Sequence, residues 1–188
     1  IVNAVSNLAD SKTGALIAIE QGTGLGEIIS SGTIIEAKIT SNLLENIFVV
    51  NTPLHDGATI IGKDKILAAG CVLPLTNNKE INKKLGTRHR AGIGLSEISD
   101  ALVIIVSEET GRISIAVDGT LNYNLTLEEF KLMLLDELKP KMEVFYDADE
   151  DEDPCLKRER WCNGNDKDVY FIGGEDVDDV QYVEVPYD

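Results

Sequence analysis

Two short segments of this 188-residue chain concentrate side chains that suit phosphate chemistry. The first, the His-Asp-Gly segment, reads His55-Asp56-Gly57-Ala58. Its imidazole and carboxylate can ligate a divalent metal, and the carboxylate can accept a proton from a hydroxyl. Gly57 would let a ligand approach the backbone closely. Pro53 precedes the segment and a β-rich run follows it, so we expect it where a loop enters a strand. A plain Asp-Gly turn is the alternative interpretation.

The second, the Arg-His-Arg segment, reads Gly86-Thr87-Arg88-His89-Arg90. It holds two guanidinium groups, an imidazole and a hydroxyl, and arginine offers a planar fork that matches two phosphate oxygens. We expect Thr87 to be the N-cap of a helix, whose first backbone N–H groups would face a bound anion. A solvated helix start is the alternative interpretation.

A third stretch, the Glu-Glu segment, covers residues 107–111 and follows an apolar run. A carboxylate of this segment, Glu108 or Glu109, can complete a metal site with His55 and Asp56, and such mixed ligation suits Mg²⁺ or Mn²⁺. A charged hairpin turn is the alternative. Together, the three segments predict phosphoryl-type transfer, which depends on charge neutralisation and in-line positioning rather than on a protein nucleophile.

The charge of the chain is unevenly distributed. Residues 1–142 hold 17 acidic and 13 basic side chains, whereas residues 143–188 hold 16 acidic and 4 basic ones. An acidic surface repels the nucleic-acid backbone, so we expect no nucleic-acid partner. A nucleotide can still bind where cations cluster locally.

Interleaved helices and strands are predicted to position these segments. The pattern predicts helices over 1–12, 41–49, 88–98 and 126–138, and strands over 15–19, 58–61, 65–73, 101–106 and 112–117. Thr126 and Glu129 form a capping box at the last helix. Residues 22–26 resemble a phosphate-binding glycine loop without the P-loop lysine, and a flexible connection is the preferred alternative. The predicted class is α/β (mixed α+β), with a central mixed β-sheet flanked by helices.

The last part of the chain differs in character. We predict a catalytic domain over 1–142 and an acidic appendage of unknown role, partly disordered, over 143–188. Residues 147–153 are nearly all acidic, which is typical of a solvated, mobile segment, and short strands are predicted at 169–172 and 180–185. Three cysteines without a dense framework favour a reducing compartment. We expect Cys71 in the core, and Cys155 and Cys162 as plain thiols rather than a disulfide or metal pair.

In combination, the motifs resemble those of the diadenylate cyclases, which make cyclic di-AMP from two ATP molecules. The resemblance covers about residues 1–138 and is carried by residues 51–58, Leu73-Pro74-Leu75, residues 86–91 and residues 106–111. The chain is most similar to the membrane-tethered housekeeping class. One departure is Val72, which stands where relatives often place a tyrosine that stacks on adenine.

This resemblance implies a role for each site residue. Asp56 would coordinate metal and help to activate the ribose 3′-hydroxyl. The implied catalytic residues are Asp56, Arg88, His89 and Arg90; the implied ATP-binding residues are Gly57, Ala58, Leu73, Gly86, Thr87, Arg88, His89, Arg90, Ser107 and Glu108; and the implied metal ligands are His55, Asp56 and Glu109. The implied cofactor is Mn²⁺ or Mg²⁺, with Co²⁺ as a further candidate. Two protomers would meet face to face as a homodimer, each binding one ATP.

The resemblance also implies a setting in the cell. The full-length protein would sit at the cytoplasmic face of the membrane, with transmembrane helices before the domain, and the start at Ile1 agrees with their removal. No apolar stretch in this chain reaches the ~20 residues that span a bilayer, so this fragment is expected to be soluble. Regulation by a membrane-bound protein and by phosphoglucosamine mutase is implied. The main alternative function is a non-catalytic module that binds ATP or cyclic di-AMP; a metal-dependent phosphohydrolase is another.

Overall fold

The computed structural model describes residues 1–78 and 85–139, and the backbone of residues 159–163 and 167–171. The chain separates into two compact units, Ile1–Glu137 and Leu138–Asp188. In the second unit, strands Glu159–Asn163 and Lys167–Phe171 form an antiparallel pair. The strand predicted at 169–172 is thus confirmed, but it begins two residues earlier and ends one residue earlier. Its partner strand, Glu159–Asn163, was not predicted. The acidic run 147–153, the strand predicted at 180–185 and Cys155 lie outside the described residues.

The first unit is built on a seven-stranded sheet. Its elements are α1 (Val2–Asp10), β1 (Ala15–Ile19), α2 (Gly26–Ser30), β2 (Thr33–Lys38), α3 (Ser41–Ile47), β3 (Ala58–Gly62), β4 (Lys65–Cys71), α4 (Thr87–Ser96), β5 (Leu102–Val106), β6 (Ile113–Val117), β7 (Thr120–Leu125) and α5 (Leu127–Glu137). The strand order is β2-β4-β3-β1-β5-β6-β7. β1 and β3 run parallel, and the other neighbours are antiparallel. The predicted mixed sheet flanked by helices is confirmed.

The central strands are buried on both faces. Every residue of β1, β3 and β5 is buried, because helices cover the sheet from both sides. One face packs against α1, α3 and α5, with Phe48 and Phe130 fully enclosed. The other face packs against α4 and α2, with Ile93 and Leu95 in its centre. These continuous apolar runs explain why the sequence predicted the central strands so closely.

The edge strands were not predicted. No residue of β2 or β7 is buried, and neither strand contains a continuous apolar run like those of the central strands. β2 also carries a bulge, with Glu36 at φ +50° and a shift in register between Ile34 and Ala37. Such irregularities protect an edge from pairing with another chain.

Two of the predicted local features have definite outcomes. The capping box of α5 is confirmed, because Thr126 N donates to Glu129 Oε2 (2.8 Å) and Glu129 N donates to Thr126 Oγ1 (3.2 Å).

In the glycine loop at 22–26, the amides of Gly22 and Thr23 donate to the Asp100 carboxylate at 2.9 Å. Burial alone would raise the pKa of Asp100, but these hydrogen bonds outweigh it and lower that pKa. The amides of Gly22 and Thr23 bind the chain's own carboxylate, so these two are not free for a ligand.

Helix α4 lies unusually close to the segment that follows β4. A Cβ at Gly94 would collide with the carbonyl oxygen of Pro74 and would lie 2.6 Å from Thr76 N. Thr76 N also donates to the carbonyl oxygen of Arg90 at 3.1 Å, which ties this segment to the helix. The glycine therefore permits the contact that fixes the position of α4.

We expect Gly94→Ala to lower the free energy of unfolding by about 2 kcal/mol, because the added methyl group must displace backbone atoms. At an exposed helix position, replacing glycine by alanine raises the free energy of unfolding. A decrease in that free energy would therefore indicate the close contact at Gly94. Urea denaturation measures it. Gly26→Ala in α2 is the matched control, since its Cβ would meet nothing within 4 Å. Equal stability of the two variants would contradict the close approach.

Candidate active site

A pocket of about 120 Å³ opens where the start of α4 meets the turn between β5 and β6. Residues 85–89, residues 106–110 and Tyr123 line it. The structure therefore brings the Arg-His-Arg and Glu-Glu segments together, as the sequence analysis expected. Of the predicted nucleotide-binding residues, Gly86, Thr87, Arg88, His89, Ser107 and Glu108 lie in this lining, and Glu109 lies there too.

Arg88 is held by an ion pair across the pocket. Its Nη1 donates to Glu108 Oε2 at 2.7 Å, and the two side chains are 24% and 65% exposed. The pair fits beside Gly14, where a Cβ would lie 2.7 Å from Arg88 Nη1 and 2.9 Å from Glu108 Cβ. Gly14 thus leaves the space that both side chains occupy.

His89 is enclosed without a hydrogen-bond partner. It is 6% exposed, and no described atom accepts from or donates to its Nε2. Burial lowers the pKa of His89, so the imidazole is neutral at pH 7. Its ring lies 5.8 Å from the ring of Tyr123, at an interplanar angle of 54°. A buried polar atom in a pocket lining is suited to a polar ligand group.

The start of α4 differs by one residue from the prediction. Gly86 is the N-cap, with extended backbone (φ −69°, ψ 175°), and Thr87 is the first helical residue. The prediction of Thr87 as N-cap is therefore wrong, because the chain turns into the helix one residue earlier. No side chain caps this end, so the first-turn amides stay available to an anion.

The His-Asp-Gly segment enters β3 from a loop, as predicted. Asp56 is exposed and makes no side-chain hydrogen bond among the described residues. His55 is half-buried, and its Nδ1 lies 2.6 Å from the carbonyl oxygen of Thr52. Because that carbonyl can only accept, Nδ1 is the donor in this contact, which in a neutral imidazole leaves the lone pair on Nε2. This tautomer is the one that binds metal through Nε2.

Gly57 makes a close approach within the chain, while its predicted approach to a ligand stays a prediction. Its φ is +138°, and a Cβ there would lie 2.6 Å from the carbonyl carbon of Gly70 and 2.8 Å from the Cys71 oxygen. The close approach is to strand β4 of the same chain. Ala58 is buried on β3 opposite Cys71. Neither residue is in the lining of the pocket.

Leu73 and Arg90, two further residues of the predicted site, are not in the lining of the pocket. Leu73 is buried in the apolar cluster beneath α4, and Arg90 is exposed on the helix. Val72, in the position that the resemblance assigns to an adenine-stacking side chain, is 72% exposed. Cys71 is 1% exposed, and burial raises the pKa of its thiol, so the prediction of a core cysteine is confirmed.

The predicted metal ligands do not converge within one chain. No three His, Cys, Asp or Glu side chains of the described residues form a group that could hold a metal ion. Glu109 lies in the pocket lining, whereas His55 and Asp56 lie in the loop before β3. His55 Nε2 and the Asp56 carboxylate fit a divalent metal as donors. The complete three-residue metal site remains a prediction.

Sequence reasoning missed two residues of this site. Gly14 precedes the first buried strand, a position that gave no sign of a contact with Arg88. Tyr123 is the one aromatic residue of the polar strand β7, which was itself not predicted. An exposed aromatic side chain on a polar edge strand was the available signal.

Known proteins match the chain closely. A family model described as "DAC: DisA bacterial checkpoint controller nucleotide-binding" matches residues 2–121. "Cyclic di-AMP synthase CdaA" of Bacillus subtilis is 51% identical over 139 residues, which are 74% of this chain and 51% of that protein. This chain belongs to the diadenylate cyclase family. A "Diadenylate cyclase" of Listeria monocytogenes is 47% identical over 70% of the chain and 48% of its own length. The chain spans about half the length of these curated diadenylate cyclases.

Solved structures agree with the fold of a diadenylate cyclase domain. A double mutant of DacA from Staphylococcus aureus has a TM-score of 0.71 and 46% identity, covering 72% of this chain and 91% of its own. A "hypothetical membrane spanning protein from Bacillus cereus" has a TM-score of 0.63 and 48% identity, covering 65% and 60%. In the described part of the present chain, no helix has the length and apolar character needed to cross a membrane.

Gly14→Ala tests the geometry of this diadenylate cyclase pocket. The new methyl group must displace the Arg88 guanidinium, so we expect the affinity for nucleotide, measured with ATP by calorimetry, to fall about tenfold. Gly24→Ala is the control, because its Cβ would meet no atom within 4 Å. Unchanged affinity in a folded Gly14→Ala protein would show that Arg88 does not need this space.

Proposed function

We propose that this domain condenses two ATP molecules into cyclic di-AMP with 3′,5′ linkages and releases two pyrophosphates. One observation carries the proposal: a member of the diadenylate cyclase family combines a pocket lined by Arg88 and the uncapped start of α4 with an exposed Asp56 carboxylate that makes no hydrogen bond among the described residues. The pocket suits phosphate, and the carboxylate suits activation of a hydroxyl. A purely binding module needs only the pocket.

The proposed step forms a bond between a ribose 3′-oxygen and the α-phosphorus of the other ATP. The bond from that phosphorus to the pyrophosphate breaks, and the hydroxyl proton passes to Asp56 and then to water. Arg88 and the amides at the start of α4 bind phosphate oxygens, and His89 Nε2 supplies a further polar contact. Arg90 is also proposed as a catalytic residue, and this role rests on the family resemblance alone.

A divalent metal is part of the proposal. His55, Asp56 and Glu109, which do not converge within one chain, would hold Mn²⁺ or Mg²⁺ where two chains face each other, with Co²⁺ as a further candidate. The metal would neutralise phosphate charge in the transition state. The tautomer of His55 supports this role, because its Nε2 lone pair is free. Mixed nitrogen and oxygen ligation also accords with Mn²⁺.

The pocket also supports the proposal of a homodimer. Its volume of about 120 Å³ is small beside the ~300–1,000 Å³ of typical ligand sites. A second copy facing the first would add walls and would bring the second ATP. The relative from Bacillus cereus is described as membrane spanning, which supports membrane attachment of the full-length protein. Such attachment would place the domain at the cytoplasmic face. A membrane-bound regulator and phosphoglucosamine mutase are proposed as partners on family resemblance alone.

The proposal is tested by incubating the protein with ATP and Mn²⁺, Mg²⁺ or Co²⁺ and identifying products by mass spectrometry. Cyclic di-AMP and pyrophosphate are expected. AMP or ADP as the main product would indicate a phosphohydrolase instead. Binding of ATP without pyrophosphate release would indicate a nucleotide sensor.

Asp56→Asn should lower turnover about 10³-fold, since a positioned acid–base group contributes ~10²–10⁴ to a rate. The fold should persist, because Asp56 is exposed. Asp64→Asn is the matched control: Asp64 is exposed in the β3–β4 turn at φ +63°, which asparagine tolerates. Turnover and thermal unfolding of both variants are compared with wild type. Full activity of Asp56→Asn would remove Asp56 from its assigned role.

A further inference from the structure

Arg112 is fixed by its main chain to one wall of the pocket. It follows the Glu-Glu segment directly, and its carbonyl oxygen accepts from Ser107 N at 3.0 Å. Its own N–H donates to Thr110 Oγ1 at 3.3 Å. Both bonds close the turn whose residues 107–110 line the pocket. The side chain therefore starts from the rim of the proposed nucleotide site.

The side chain of Arg112 rests on a residue of the pocket lining. Its Cζ lies 5.9 Å from the ring centroid of Tyr123, and its Nη1 donates to the Tyr123 hydroxyl at 3.5 Å. Tyr123 itself lines the pocket. Arg112 is exposed and pairs with no carboxylate among the described residues. The guanidinium is thus held in position by an aromatic ring but keeps its full charge.

The charge balance of the pocket makes this position significant. Arg88 is compensated by Glu108, Glu109 adds a negative charge, and burial keeps His89 neutral. A triphosphate carries several negative charges and needs cations that no carboxylate already neutralises. Arg112 is such a cation, and its fork matches phosphate oxygens.

We propose that Arg112, braced on Tyr123, binds the phosphate chain of the nucleotide and the pyrophosphate that leaves. Tyr123 is a positioning residue, because it acts by holding the guanidinium at the rim. This inference rests on the proposed function for its substrate. The binding of pyrophosphate by a cation beside the pocket can be tested without measuring turnover.

The direct test measures binding of inorganic pyrophosphate, with Mn²⁺ present, by titration calorimetry of the whole chain. Arg112→Gln is expected to weaken binding about tenfold, the effect of losing one charge-assisted contact. Arg112→Lys keeps the charge without the fork and should lie between. Lys63→Gln, which removes one exposed cation in the β3–β4 turn, is the control for net charge. Thermal unfolding confirms that each variant is folded.

Kinetics separate this role from a structural one. Arg112→Gln should raise the KM for ATP and the inhibition constant of pyrophosphate about tenfold each, with kcat changed less than about threefold. Tyr123→Phe keeps the ring and should change little, whereas Tyr123→Leu should resemble Arg112→Gln. The two losses should not add in the double variant, since one residue acts through the other.

The outcomes distinguish the two proposals. Wild-type affinity for pyrophosphate in Arg112→Gln, or no pyrophosphate binding by the wild type, overturns the role of Arg112. If the wild type makes no cyclic di-AMP but binds pyrophosphate through Arg112, the proposed reaction fails and the anion site stands. A loss in Lys63→Gln as large as in Arg112→Gln would show a general charge effect and would overturn the specific contact.

Discussion

The close packing of α4 against the sheet and the segment after β4 is the constraint on which the site depends. A Cβ at Gly92 would lie 2.9 Å from Ile105 Cδ1, and one at Gly94 would collide with the Pro74 carbonyl. Gly92 lets the helix lie close to the buried strand β5, and Gly94 lets it lie close to the segment after β4. The end of β5 leads into the Glu-Glu segment, so the same contact sets the distance between Arg88 and Glu108. A rigid core thereby positions groups that carry charge.

The site that results holds an ion pair and a further carboxylate, Glu109, and is open to a ligand. Arg88 is paired, His89 is buried and neutral, and the first amides of α4 have no side-chain cap. His55 and Asp56 lie in a separate loop, with the imidazole oriented by the Thr52 carbonyl. In the proposed reaction, these two parts act on nucleotides that two chains present to each other. Each chain alone would then hold only part of the reaction centre.

The sequence predicted the features that depend on residues close to one another in the chain. The continuous apolar runs identified β1, β3 and β5, and the capping box identified the start of α5. The joining of the Arg-His-Arg and Glu-Glu segments was also foreseen. The edge strands β2 and β7 were not, because neither contains a continuous apolar run. Gly14 and Tyr123 were missed since their roles arise from contacts distant in sequence, as does the contact of Gly57 with β4.

The central claim, that the product forms across two chains, is tested most directly by mixing. Wild-type protein is equilibrated with an equal amount of Asp56→Asn protein at saturating ATP and at a concentration where dimers predominate. If both chains must contribute an intact Asp56, formation of cyclic di-AMP per wild-type chain falls to about half, because half of those chains pair with an inactive partner. A linear, singly linked dinucleotide should accumulate at the same time. Activity per wild-type chain that is unchanged by the mixing would contradict the account.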